Sequence, residues 1–180
     1  MIPGLADPAI QSSRGFRVLM QAMARPGTIQ RLNLTRPPAL GPAAGSVLLL
    51  LADPTTPLHL AGDLPGLAPW LQFHAGCPLT GPEGASLAVG RWPDLRLELL
   101  PVGLPDYPDR SATVIVELDR LDAEGPQLTG PGIQGHASLS LPEIAPFRAN
   151  RALFPMGLDF IFTCGDRLAC LPRSTIVRDA

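Results

Sequence analysis

Apolar residues in this chain recur with two different periods. Phe16, Leu19, Met20 and Met23 follow the i, i+3, i+4, i+7 spacing of one helix face, with Arg14, Arg17, Gln21 and Arg25 largely off it. Asp7 can accept from the free N–H groups of a first turn, and Pro8 suits the position after it, where no N–H is needed. Pro26-Gly27 stops the pattern. A helix running from Pro8 towards Pro26 is therefore expected, with Phe16, Leu19, Met20 and Met23 as its buried stripe. Shorter helices are expected over Pro65 to Phe73, burying Leu67, Trp70 and Leu71, and over Pro142 to Leu153, carrying Ile144, Phe147, Arg148 and Arg151.

Between these stretches lie short runs rich in β-branched and aromatic residues. Ala112 to Leu118 (ATVIVEL) and Leu158 to Thr163 (LDFIFT) read as buried strands. Thr28 to Leu34, Leu58 to Leu60, Ala137 to Leu141, Leu168 to Leu171 and Thr175 to Val177 read as further strands. Val47 to Leu51 is a continuous apolar run that periodicity alone assigns to neither helix nor strand. Helices interleaved with apolar strands predict an α/β fold whose sheet is covered on at least one face. The strand order is not readable. At 180 residues, with no repeat or low-complexity linker, residues 1–180 are expected to form a single domain.

Composition removes several kinds of chemistry. All 14 basic residues are arginine, and lysine is absent. Schiff-base chemistry with pyridoxal phosphate (PLP) needs a lysine amine, as do the P-loop and the protein-kinase strand. A formal net charge of -2 with no basic run argues against nucleic acid as a partner. The N-terminus has no cationic start and carries Asp7, so no signal peptide is expected. The longest uncharged stretch, Leu64 to Pro82, is broken by Pro65, Pro69 and Pro78, so no membrane helix is expected. Charged residues make up only 17% of the chain, and a sparsely charged surface favours assembly with partners.

Motifs for catalysis are weak. Gly130-Pro-Gly132-Ile-Gln-Gly135 matches GxGxxG, but the residues after it alternate like a strand, so a glycine-rich turn is expected rather than a dinucleotide site. His74 and Cys77 are spaced as two metal ligands without a second pair, and Cys77, Cys164 and Cys170 are expected as free thiols. No GxSxG elbow is present. No catalytic residue, metal ligand or cofactor site is therefore assigned. Arg17, Arg25, Arg110, Arg148, Arg151 and Arg173 sit near element ends, where guanidinium forks suit phosphate or carboxylate.

Several blocks gain specificity by their order. They include Phe16-Arg17-x-Leu19-Met20-x-Ala22-Met23-x-x-Pro26-Gly27, Leu51-Ala52-Asp53-x-x-Thr56-Pro57 and Leu71-x-Phe73-His74-x-x-x-Pro78. Ser111-Ala112-Thr113, Leu128-Thr129-Gly130-x-Gly132-Ile133 and Phe154-Pro155-x-Gly157-x-Asp159 follow. Thr163-Cys164-Gly165-Asp166-x-Leu168 and Leu171-Pro172-Arg173-Ser174-Thr175 close the series. Across nearly the whole chain this resembles the PhnH family, subunits of the bacterial carbon–phosphorus lyase core complex.

The resemblance implies a three-layer α/β/α fold with a central mixed sheet, similar to PLP-dependent transferases but without PLP. It implies PhnG, PhnI and PhnJ as partners, a homodimer when isolated, and a cytoplasmic location. It also implies a part in the step in which an alkylphosphonate displaces adenine from ATP, giving a ribose 1-phosphonate 5-triphosphate. The nucleosidase chemistry belongs to another subunit, and no catalytic residue is carried over. Two readings stand beside this one: a small-molecule binder, with Arg17, His74 and Arg173 holding ATP or phosphonate, and a stand-alone hydrolase.

Overall fold

The computed structural model describes residues 2–179. Helix α1 (Pro8–Ala24) starts as its caps predict, with Asp7 accepting the Ile10 N–H at 3.2 Å. Its buried face is Gly15, Leu19 and Ala22. The expected stripe is thus rotated: Leu19 points inward, but Phe16 and Met20 are 46% and 51% exposed. The cause is close packing on small residues. A Cβ at Gly15 would meet Leu34 at 2.7 Å and Leu50 at 3.1 Å, so the helix seats its smallest side chains rather than its largest.

The chain continues through β1 (Gln30–Arg31), α2 (Pro42–Leu51), β2 (Leu58–Leu60), α3 (Leu67–His74) and β3 (Leu87–Arg91). The ambiguous run at Val47 to Leu51 is the second half of α2, opened by Pro42 after the Gly41 N-cap. Next come the hairpin of β4 (Val102–Leu104) and β5 (Tyr107–Ser111), then β6 (Thr113–Glu117), β7 (Gln127–Thr129) and β8 (Ala137–Ser138). Helix α4 (Ala145–Ala152), β9 (Asp159–Cys164), β10 (Arg167–Leu171) and β11 (Ile176–Arg178) complete the described chain.

Two expected strands shorten. Thr28 to Leu34 keeps only β1, because Leu32 N–H turns to the Asp166 carbonyl in the β9–β10 turn. Ala137 to Leu141 keeps only β8, because Ser140 N–H is taken by the Asp122 carbonyl. Strands β3, β4, β5 and β7 lie outside the runs whose pattern predicts strands.

Six strands form the central sheet in the order β1-β10-β9-β6-β3-β2. Strands β2, β3, β6 and β9 pair in parallel, while β10 is antiparallel to both β9 and β1, so the fold is α/β with a mixed sheet. Strand alternation sorts the core into two clusters. Leu87, Val89, Ile115, Ile161, Leu168 and Cys170 face α1, α2 and α3. Ala88, Val114, Val116, Phe160, Phe162 and Ala169 face Phe147 of α4 and Leu128, Leu139 and Val177 around the small sheet β11-β7-β8. Both faces are thus covered, one by helices and the other by a helix and a small sheet. No helix among the described residues is long and apolar enough to cross a membrane.

Candidate functional site

In sheets with parallel strands, ligands favour the carboxyl ends of those strands. Here β6 ends in Glu117, whose residue is 9% exposed. Its carboxylate accepts from Gly41 N–H at 3.0 Å and from the Thr163 hydroxyl on β9. Gly41 is the N-cap of α2, so the carboxylate sits at the positive end of that helix. Burial raises the Glu117 carboxyl above its ordinary value, opposed by the Thr163 and Gly41 donors. A Cβ on Gly41 would lie 2.6 Å from Glu117 Oε1, so only glycine allows this approach. The group ties β6, β9 and α2 together. Outside it, exposed Arg91 and Asp119 pair at 3.1 Å, and Arg167 lies 3.5 Å from Asp122.

The opposite end of β9 carries a second tie. Arg173 and Asp159 are 16% and 22% exposed and form an ion pair. Arg173 Nε and Nη2 donate to the Asp159 carboxylate, Nη2 also to Ser111 Oγ, and Nη1 to the Pro108 carbonyl at 2.6 Å. Only one N–H of the guanidinium is left over, so Arg173 is a cross-link between β5, β9 and the segment after β10.

The residues singled out for a ligand do not converge. Arg17 lies exposed on α1. His74 ends α3, and its Nε2–H donates to the Ile2 carbonyl at 3.0 Å. Helices α1 and α3 pack on the first sheet face, whereas Arg173 is committed at the amino end of β9. Among the described residues no hydrogen bond or ion pair joins any two of the three.

His59 Nδ1 faces the Thr80 carbonyl at 3.1 Å, and His136 is exposed. All three cysteines are free thiols, and burial drives Cys77 and Cys170 away from ionisation. No group of three His, Cys, Asp or Glu side chains among the described residues could hold a metal ion. The Gly130 to Gly135 segment is a turn between β7 and β8, with no helix to meet a pyrophosphate.

One concavity has no counterpart among the residues expected to form a site. A cleft of about 740 Å³ opens between the Trp92–Leu99 segment, β4, α4 and the start of β9. Trp92, Leu97, Val102, Pro146, Leu153 and Phe160 supply much of its apolar wall. Its polar side chains are already engaged. Glu143 accepts Trp92 Nε1–H at 2.8 Å, and Asn150 both donates to and accepts from the Leu158 backbone. Glu98 pairs with Arg96 at 2.6 Å; its own backbone N–H and that arginine hold its carboxyl below the ordinary range. Such a wall binds apolar matter but presents no nucleophile beside a base. Glu117 and Asp159, each a lone acid at the end of an apolar strand, were the available sequence signals for the two ties. Nothing local marks the cleft, which needs Trp92 and Asn150 brought together.

Comparison with known proteins fits this picture. The family described as bacterial phosphonate metabolism protein (PhnH) matches residues 3–178. Alpha-D-ribose 1-methylphosphonate 5-triphosphate synthase subunit PhnH of Rhizobium meliloti strain 1021 is 39% identical, over 94% of this chain and 92% of its own. HtxG of Stutzerimonas stutzeri, whose name assigns it provisionally as a C-P lyase subunit protein, is 31% identical over 93% of this chain and 86% of its own. On a match that spans almost every residue, the chain belongs to the PhnH family.

Proposed function

We propose that this chain is a subunit of the carbon–phosphorus lyase core complex in organophosphonate catabolism, needed for making ribose 1-phosphonate 5-triphosphate from ATP and an alkylphosphonate. The observation that carries the reading is the near full-length relationship to a subunit of the methylphosphonate ribose triphosphate synthase. The internal chemistry supports it: Glu117, Asp159, Arg173, His59 and His74 all bond within the protein. A chain so occupied contributes shape and surface rather than acid–base turnover of its own.

PhnG, PhnI and PhnJ are its partners on this reading, and a homodimer is its state when isolated. It is a cytoplasmic single domain over residues 1–180. Its layering follows the three-layer α/β/α plan of PLP-dependent transferases without the cofactor. Coverage of both sheet faces supports that plan, and the absence of lysine supports the lack of PLP.

Co-expression with tagged PhnG, PhnI and PhnJ tests the assembly. The chain should purify with them, and the complex should form the triphosphate product only when the chain is present. A chain that never associates, or a complex equally active without it, overturns the proposal. The small-molecule reading has one feature for it, a cleft within the range of roughly 300–1,000 Å³ that suits ligands, although its apolar wall and the acids Glu98 and Glu143 oppose an anion. Calorimetry of the isolated chain with ATP tests this second reading: no heat in the absence of partners removes it.

A further inference from the structure

We infer that the pocket between α4 and β11 is a binding site for a phosphate-type oxyanion, gripped by Arg148 and Arg151. This pocket, about 390 Å³, shares no lining residue with the apolar cleft. Arg148 and Arg151 stand three residues apart on α4 and so project from one side of the helix. Ala152 of α4 and Ile176 and Val177 of β11 line the remainder.

The two guanidiniums are held in place without being used up. Arg148 Nε donates to the Val177 carbonyl at 3.1 Å, which fixes that edge. Its Nη2 meets Asp179 at 3.0 Å, but Asp179 is 79% exposed. A carboxylate so solvated is easily displaced by a more highly charged anion. The Arg151 guanidinium carbon lies over the Phe154 ring, 4.5 Å from the centroid. A cation–π contact of this kind holds a guanidinium in place without consuming its N–H donors.

Arg151 Nε is buried and has no hydrogen-bond partner. Among the described residues no ion pair reaches this arginine. A buried charged donor without an acceptor is costly, and such groups call for an acceptor from outside the chain. Arg173 shows what a satisfied arginine looks like in the same protein, with Asp159 filling its fork. Two cations around one pocket suit a doubly charged tetrahedral oxyanion better than a single carboxylate. The Ala152, Ile176 and Val177 wall leaves room for a small organic substituent.

The test is a titration of the full chain, labelled with ¹⁵N, followed through the Arg151 Nε–H signal and the Ile176 and Val177 amides. Inorganic phosphate and methylphosphonate form two arms; acetate and sodium chloride at matched ionic strength form two more. Saturable shifts at these three positions are expected in the phosphate and methylphosphonate arms alone. Saturation by one of the two reveals whether the organic substituent is required or excluded. Arg151→Gln should weaken binding by about tenfold, the loss of one charge-assisted bond. Arg148→Gln should do the same, and it decides the matter if Arg151→Gln does not fold. Equal shifts with chloride, saturation by acetate alone, or unchanged affinity in the glutamine variants overturns the site. The outcome does not depend on assembly with PhnG, PhnI or PhnJ, because it is read on the isolated chain.

Discussion

The two faces of the central sheet are built from different materials. The face under α1, α2 and α3 is sealed with small and aliphatic residues, among them Ala22, Ala43, Ala44, Val47 and Leu48. The other face is aromatic. Phe147 of α4 meets Phe160 and Phe162 edge-on at 5.0 and 5.6 Å and lies 5.2 Å from Trp92. Both the apolar cleft and the arginine pocket border this second cluster. Small side chains let helices lie close on this face. Large rings hold α4 and the Trp92 segment as separate props with space between them. Both described pockets lie on the aromatic side, while the outer surfaces of α1 and α3 keep Phe16, Met20 and Phe73 exposed.

Substitutions can break this contrast. Phe147→Ala should have the largest effect, about 3–5 kcal/mol of stability. It removes the ring that Trp92, Phe160 and Phe162 share, and urea unfolding measures the loss. A cost below about 1 kcal/mol would mean that the aromatic face does not organise that side of the sheet. Asp159→Asn comes next, at about 3 kcal/mol, because it leaves Arg173 half-buried without its counter-charge. Its unfolding midpoint should fall at low and high salt alike, since a pair this sheltered is little screened.

Glu117→Gln sharpens the comparison from the sealed side. Glu117 holds its proton more readily folded than unfolded, so its ionisation removes stability as pH climbs from the ordinary carboxyl range through the raised value. The glutamine variant lacks that loss. Its stability relative to the natural chain should improve as pH rises from about 4 to about 8. Urea midpoints of both proteins at the two pH values check the sign. Smallest of all is Phe16→Ser on the outer side of α1, expected within about 0.5 kcal/mol in thermal unfolding. Leu19→Ala, one turn away but buried, should cost about 2–5 kcal/mol.

The Phe16 and Leu19 pair marks the limit of what periodicity carries. Period alone located α1 and its caps, because Asp7, Pro8 and Pro26-Gly27 act locally. It did not find the rotation of the helix, because what turns Phe16 outward is Gly15 meeting Leu34 and Leu50, residues far along the chain. The strongest strands, β6 and β9, were legible because each is apolar on both sides, as a doubly covered strand must be. Strand β3 escaped notice because Ala88 and Gly90 dilute its apolar run, and Gly90 is small so that Ala61 can approach. The arginines were noticed as a group. Only the fold separates Arg173, whose fork is filled by Asp159, from Arg151, whose Nε has no acceptor among the described residues. The cleft carries no local sequence signal because its walls come from segments nearly sixty residues apart, Trp92 and Asn150 among them.

The position of β9 has a consequence for how the protein is made. This strand sits between β6 and β10 in the middle of the sheet, yet it spans Asp159–Cys164 of a chain of 180 residues. Until β9 and β10 have been synthesised, β6 has a bare edge and β1 has no neighbour, since β1 pairs only with β10. Nascent or truncated chains therefore expose sticky strand edges, and completion of the sheet waits on release of the C-terminal hairpin.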